Sequence, residues 1–400
     1  MKNPYQKTIY ACFTAYIIQA IVNNFVPLLF LTFQDSYRIP LSQITLLVTL
    51  NFALQLLVDL ASVGFVDRIG YRASMVLAHA LAAAGLALLA ILPELLPSPF
   101  LGILLSVCVY AVGGGLIEVV VSPVVEACPS AHKEQAMSLL HSFYCWGHVG
   151  VVLLSTAFFA LFGTAHWRVL ALAWALIPLG NLFAFLRVPI PALLEEGQRG
   201  MTIGELARNR MFWVFLLMML CAGASEQGVS QWASTFAEKG LGVGKTVGDL
   251  AGPMAFAVLM GTSRAIYGRY GDRLDLDRFM AGSALLCAAA YLCVALAPSP
   301  VVGLIGCAVC GLSVGILWPG TFSKAAAGLP RGGTALFALM ALAGDMGCSG
   351  GPTLVGMVSS ALGDDLKKGI LAGIVFPALL LAGLALSRTG KKPTTENGGR

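Results

Sequence analysis

The chain has 400 residues, 58% of them hydrophobic and only 11% charged, with a net charge of +5 and a mean hydropathy of +0.82. A soluble domain of this size needs far more charge to cover its surface. The small positive balance falls in loops, so it excludes a nucleic-acid surface and reads as membrane topology.

Apolar runs of about 20 residues or more recur along the whole length, each enough to cross roughly 30 Å of hydrocarbon. In lipid the backbone must satisfy its own hydrogen bonds, so each run is a helix. The first six spans are predicted near 8–33, 41–66, 73–93, 99–126, 136–163 and 167–187. The second six are predicted near 211–237, 246–268, 277–297, 300–325, 331–359 and 366–388. The first run is too long for a cleavable signal peptide and reads as a true span. The longest connection, 188–210, carries Pro189, Pro191, Glu195, Glu196, Arg199, Arg208 and Arg210. It divides the chain into an N-terminal six-helix bundle (1–187), a cytoplasmic linker (188–210), a C-terminal six-helix bundle (211–388) and a cytoplasmic tail (389–400). The expected fold class is an all-α membrane protein, twelve transmembrane helices in two pseudo-symmetric bundles.

With the N-terminus placed inside, 19 of the 25 lysines and arginines fall on the cytoplasmic side. The positive-inside rule therefore puts both termini in the cytoplasm. Short loops and the lack of an Asn-x-Ser/Thr site favour the plasma membrane of a bacterium, its inner membrane. The ten cysteines sit almost wholly inside apolar runs and make no disulfide framework. Cys307 and Cys310 form a CxxC without a partner ligand, so no metal and no cofactor are expected.

Three segments repeat between the halves. Asp67-Arg68 returns as Asp272-Arg273, Gly115 to Pro123 as Gly311 to Pro319, and Gly147-His148-Val149-Gly150 as Gly344-Asp345-Met346-Gly347. The offsets are 205, 196 and 197 residues, and one near-constant offset is the mark of two parallel halves.

Asp67-Arg68-Ile69-Gly70-Tyr71-Arg72 resembles the loop motif between helices two and three of the major facilitator superfamily. A second copy, Gly268 to Arg273, has the motif's regular spacing but lacks its trailing Gly-x-Arg. The resemblance implies a cytoplasmic latch of Asp67, Arg68, Gly70, Arg72, Asp272 and Arg273. Asp67 would face the N-terminal dipole of the eleventh helix near Gly332–Thr334, and Asp272 that of the fifth near Gln135. Glu118 to Pro123, followed by Ser138, His141, Phe143 and Gly147, resembles the fucose-permease-like branch of that superfamily, and Asn23-Asn24 matches its first helix in part. The branch's helix-one aspartate falls on Pro27 here, and its helix-four Asn on Ser122. The resemblance implies proton-linked sugar import by alternating access.

The residues carry their own reading. Glu118 lies about 13 Å from the end of its helix at 1.5 Å per residue. A charge at that depth costs roughly 2.5–3.5 kcal/mol, so it faces the bundle, is protonated or is paired. It is the expected proton carrier, with His141 at similar depth as its partner. Asp345 and His148 occupy matching positions and could also titrate. On the seventh helix Glu226/Ser230 and Gln227/Gln231 are i,i+4 pairs on a polar face, followed by Trp232. With Gln19, Asn23 and Asn24 of the first helix they are expected to line a sugar site, with Trp146 and Trp318 as walls. Asn51 and Gln55 form a further i,i+4 pair. His79 reads as structural and Arg264 as part of the cytoplasmic latch.

Gly347-Cys348-Ser349-Gly350-Gly351 spells GxSxG but sits in a membrane helix with no triad partners, so an enzyme is not expected. Gly244-Lys245-Thr246 lacks the leading glycine of a P-loop, so transport is gradient-driven. The expected partners are a sugar or similar small molecule, a proton (sodium being the other ion), and the lipid bilayer, with no nucleic acid, in a monomer. Two other readings stand beside it. Proton-driven efflux of hydrophobic drugs would need an apolar cavity, and a membrane receptor on the same fold would carry a large soluble domain.

Overall fold

The computed structural model describes residues 4–193, 199–231, 245–363 and 365–389, and among these every regular element is a helix. Twelve long helices carry the fold. They are α1 (Gln6–Asn24), α2 (Leu41–Ile69), α3 (Tyr71–Leu95), α4 (Pro99–Ala127), α5 (Lys133–Phe162) and α6 (Trp167–Arg187). The second set is α7 (Arg210–Ser230), α8 (Lys245–Tyr270), α9 (Leu276–Ala295), α10 (Pro300–Val314, continued by Leu317–Gly328), α11 (Gly333–Ala361) and α12 (Leu366–Ala372, continued by Val375–Thr389). Ten of the twelve positions are long and apolar enough to cross a membrane. The other two, α8 and α11, are just as long, at 26 and 29 residues, but α8 is richer in charge and α11 in Gly and Ser. Leu57, Leu154, Leu176, Leu296 and Met357 point outward and exposed, as a lipid-facing surface requires. This is a multi-pass membrane protein.

Prolines set the breaks. A proline has no N–H to give the carbonyl four residues back. Pro27 stops α1 at Asn24, after which a 3₁₀ turn, Val26–Leu29, and a short helix, Phe30–Tyr37, complete the first crossing. The single long span expected over 8–33 is thus a broken one. Pro319 and Pro377 break α10 and α12 in the same way, at Gly315 and Gly373. Helix starts are capped locally. Asp275 accepts from Arg278 N at 2.8 Å and Asn209 from Met211 N at 2.9 Å. Between the halves, Glu205 of a short helix (Ile203–Ala207) accepts from Thr202 N and Oγ1, and these bonds hold its carboxyl below the usual range. Met201 N donates to Arg331 O at 2.9 Å, tying this segment to the start of α11.

The glycines of the repeated segments do equivalent work in each half. A Cβ on Gly147 would press on Ile17 and Ala20 of α1, and one on Gly347 on Leu220 and Ala224 of α7. Gly115 lies against Gln55 and Val58 of α2, and Gly311 against Phe256 of α8. The internal repeat is therefore a packing repeat: α1 meets α5 as α7 meets α11, and α2 meets α4 as α8 meets α10. Between the bundles, α2 and α4 pack on α11, and α5 packs on α8 and α10.

Candidate solute and proton site

Tyr16, Gln19 and Asn23 are spaced three and four apart, so they share one face of α1. Each meets a polar group of a neighbouring helix. Gln19 Nε2 donates to Glu118 Oε2 of α4 at 2.6 Å. Asn23 Oδ1 accepts from Asn51 Nδ2 at 3.2 Å and from Gln55 Nε2 at 2.8 Å, both on α2. Asn24 Nδ2 donates back to Ala20 O at 2.9 Å. Tyr16, Ser122 and His141 form a buried cluster, with Tyr16 Oη 2.8 Å from Ser122 Oγ and 3.4 Å from His141 Nε2. His141 also stacks on Phe322 of α10. The expected Glu118–His141 pairing is replaced by Gln19–Glu118 on one side and Tyr16–Ser122–His141 on the other. One free face of α1 reaches each group separately.

The C-terminal half holds a cation that the sequence reading placed in the latch. Arg264 is 3% exposed, and its Nη2 pairs with Glu226 Oε2 at 3.0 Å. Its Nη1 donates to His141 O at 3.2 Å and lies 3.2 Å from Cys145 Sγ. Its Nε donates to Gly315 O at 2.9 Å. That carbonyl is the one Pro319 cannot bond, so the break in α10 supplies the acceptor that seats the guanidinium. Arg264 thus belongs to the interior, because α8 runs on past it to Tyr270.

Asp345 is half-buried on α11, which packs on α2, the helix of Asp59. Asp59 is fully buried and was absent from the sequence reading. Its signal was present: Asn51, Gln55 and Asp59 continue one i,i+4 stripe. Tyr16 and Ser122 were also missed as site members, their partners lying on other helices.

The remaining candidates scatter. Gln227 is half-buried beside Glu226, Gln231 is exposed at the turn ending α7, and Trp232 lies outside the described residues. Trp146 is 39% exposed and packs on Gly261 of α8, while Trp318 is 7% exposed and wedged against Gly344. Trp318 thus packs between α10 and α11. His148 is half-buried two turns beyond His141. His79 is fully buried, its Nδ1 on Met75 O at 2.7 Å and its Nε2 facing Asn181 Nδ2 at 2.9 Å. The ten cysteines are all free.

At the loop end, Thr334 Oγ1 donates to Asp67 Oδ1, and Tyr71 Oη lies 2.6 Å from Thr334 Oγ1. Gly70, at φ +84°, makes the turn from α2 to α3, a conformation that favours glycine. Arg72 donates to Phe185 O and Val188 O at 2.7 and 2.9 Å, and Arg68 is exposed. In the second copy Asp272 pairs with its neighbour Arg273 at 4.0 Å, both exposed, while Gly271 lies against Gln135.

The backbone is similar to that of solved transporters. The crystal structure of FucP in the outward conformation matches with a TM-score of 0.83 at 18% identity, over 96% of this chain and 99% of that one. A variant of the E. coli fucose:proton symporter FucP matches at 0.82 and 18%, over 96% and 99%. The proton:xylose symporter XylE bound to 6-bromo-6-deoxy-D-glucose matches at 0.79 and 12%, over 96% and 95%. These likenesses concern the fold. No curated protein matches the chain by sequence. The model of the Major Facilitator Superfamily matches residues 11–352, and with that the chain belongs to the Major Facilitator Superfamily.

Proposed function

We propose that the protein carries a small polar solute, a sugar, by alternating access in symport with a proton. The observation that carries this reading is the hydrogen-bonding wall of the N-terminal half. Asn23, Asn24, Asn51 and Gln55 present donors and acceptors beside a carboxyl, Glu118, held by Gln19. Gln19 Oε1 and Asn51 Oδ1 of this wall have no partner among the described residues; sugar hydroxyls can donate to them, and an apolar drug would leave them unpaired at a cost of about 1–3 kcal/mol each. The fold shared with sugar:proton symporters supports the same solute class. Glu118 is the proton carrier in this reading, with Asp345, His141 and His148 as the other titratable groups of the interior. Gln227 and Gln231 belong to the solute side.

The two bundles comprise 1–187 and 211–388 about the connection 188–210, with 389–400 as tail. Asp67, Thr334 and Tyr71 close the cytoplasmic end, where both termini lie, in a monomer of a bacterial inner membrane. A thermal-shift panel of hexoses, pentoses and polyols tests the solute class. A ligand at 100 times its Kd adds about 2.7 kcal/mol. Stabilisation by one sugar supports the reading. Stabilisation by apolar cations alone would turn it to efflux.

A further inference from the structure

At the loop end that carries Asp67 and Thr334, a cavity of about 340 Å³ lies between the two bundles. One wall is the end of α4 and the turn into α5, with Glu126, Lys133 and Glu134; the other is the end of α10, with Ser323, Ala326 and Ala327. Glu126 is two turns beyond Glu118 on α4, about 12 Å at 1.5 Å per residue. Ser323 is 4% exposed, and its Oγ has no partner among the described residues. Glu126 Oε2 is buried and likewise unpartnered. Glu126 Oε1 is 3.7 Å from Lys133 Nζ, beyond hydrogen-bond reach. The Lys133 side chain is 45% exposed, so water screens this pair and the acid is left unsatisfied. Both α4 and α10 end here. Cys128 N takes the Val124 and Val125 carbonyls, and Leu329 N that of Ala325, so the later carbonyls of both helices have no partner within them. Those ends carry partial negative charge. The start of α5, which would offset it, has Glu134 in its own first turn. The cavity therefore offers acceptors and negative charge from both walls, and what it lacks is a donor with positive charge.

We propose that this cavity is a binding site for a small organic amine, separate from the solute site, and that the bound amine holds this end of the molecule closed. An ammonium has three donors and no acceptor, which matches Glu126 Oε2 and Ser323 Oγ. Glu126 and Glu134 oppose its charge, and they would repel an anion. A neutral hydroxyl compound could donate but would leave the carboxylates without a counter-charge. The volume is at the low end of small-ligand pockets, about 300–1,000 Å³, and suits a short aliphatic diamine. One wall belongs to each bundle, so the amine is held only while the bundles meet here. A ligand that binds one arrangement and not the other shifts the equilibrium by its binding free energy. The amine is thus a brake on opening towards the cytoplasmic side of the proposed topology. Lys133 competes with it for Glu126. The site does not depend on the solute being a sugar.

The test needs no solute. The probe is 1,4-diaminobutane, titrated by calorimetry into the protein in nanodiscs of zwitterionic lipid, with 1,4-butanediol as its uncharged analogue. Wild type is expected to bind the diamine saturably and the diol at least about tenfold more weakly. Glu126→Gln keeps the shape and loses the charge, so it should weaken the diamine by about tenfold. Lys133→Met removes the competitor and should tighten it. Should Glu126→Gln fail to fold, Lys133→Met, at an exposed side chain, decides. For the brake, alkylation of Ser138→Cys in a Cys293→Ser background should slow when the diamine is added, and should not slow in Glu126→Gln. No saturable binding of the diamine, equal binding of the diol, or affinity unchanged in Glu126→Gln or in Lys133→Met would overturn the site. Saturable binding that leaves alkylation unchanged would overturn the brake. Diamine binding by a protein that takes up no sugar would sink the transport reading and leave this site standing. Sugar uptake by a protein that binds no diamine would sink this site alone.

Discussion

Arg264 of α8 and Glu226 of α7 form a buried ion pair at 3.0 Å, their side chains 4% and 12% exposed. Arg264 simultaneously takes the Gly315 carbonyl left open by Pro319 and the His141 carbonyl of the other bundle. One guanidinium therefore joins α5, α7, α8 and α10. Removing one member of a buried pair leaves the other charge uncompensated, at about 3–5 kcal/mol. Arg264→Ala strips every one of these acceptors, whereas Glu226→Gln keeps an acceptor for the guanidinium. Thermal unfolding in detergent is expected to show the larger loss for Arg264→Ala.

Asn23 is the shared acceptor of Asn51 and Gln55. Asn23→Ala leaves both donors facing the interior without an acceptor. Under the sugar reading its stabilisation by the solute found in the thermal-shift panel should weaken by tenfold or more in apparent Kd, about 1.4 kcal/mol. Asn23→Asp retains the acceptor and should keep most of the response.

Gly347 and Gly350 lie one turn apart on α11 in different surroundings. A Cβ on Gly347 would overlap the Leu220 carbonyl of α7, and backbone cannot move aside as a side chain can; Gly350 has nothing within 4 Å. Gly347→Ala should destabilise by about 1–3 kcal/mol or more, with Gly350→Ala close to wild type. Size-exclusion profiles and melting temperatures of the two variants compare them directly.

Thr334 joins Asp67 and Tyr71 across the two bundles. Loss of a bond to a charged group is worth about 1.5–3 kcal/mol, so Asp67→Ala should shift the equilibrium towards opening at that end. A cysteine at the fully buried Ser138, which bonds Arg264 O at 2.8 Å across the same interface, should be alkylated about tenfold faster in the Asp67→Ala background. An unchanged rate would remove the latch.

The spans were legible because hydropathy over twenty residues is a local property, and the repeat was legible because glycine positions mark close helix contacts. The pairing of polar side chains was not. It depends on how each helix is rotated about its axis, which α1 decides by offering Tyr16, Gln19 and Asn23 to three different partners. Glu118 was readable as a buried acid, but its bond to Gln19 rather than His141 was not. Arg264 was misplaced because distance from a loop was counted without knowing where α8 ends. Asp59 followed the visible Asn51–Gln55 stripe by one turn, and its full burial depends on how α2 is packed. The breaks at Pro27 and Pro319 were written in the prolines, while the use of Gly315 O by Arg264 was not.

Glu118 carries the central claim, and proton movement measured with solute movement tests it. Proteoliposomes holding a trapped pH dye are given the sugar found in the thermal-shift panel, with the membrane potential clamped. The account predicts that sugar added outside acidifies the wild-type lumen. It also predicts that Glu118→Gln exchanges sugar across the membrane while moving no proton. Sugar uptake by wild type without any change in lumenal pH, or acidification that persists in Glu118→Gln, would contradict it.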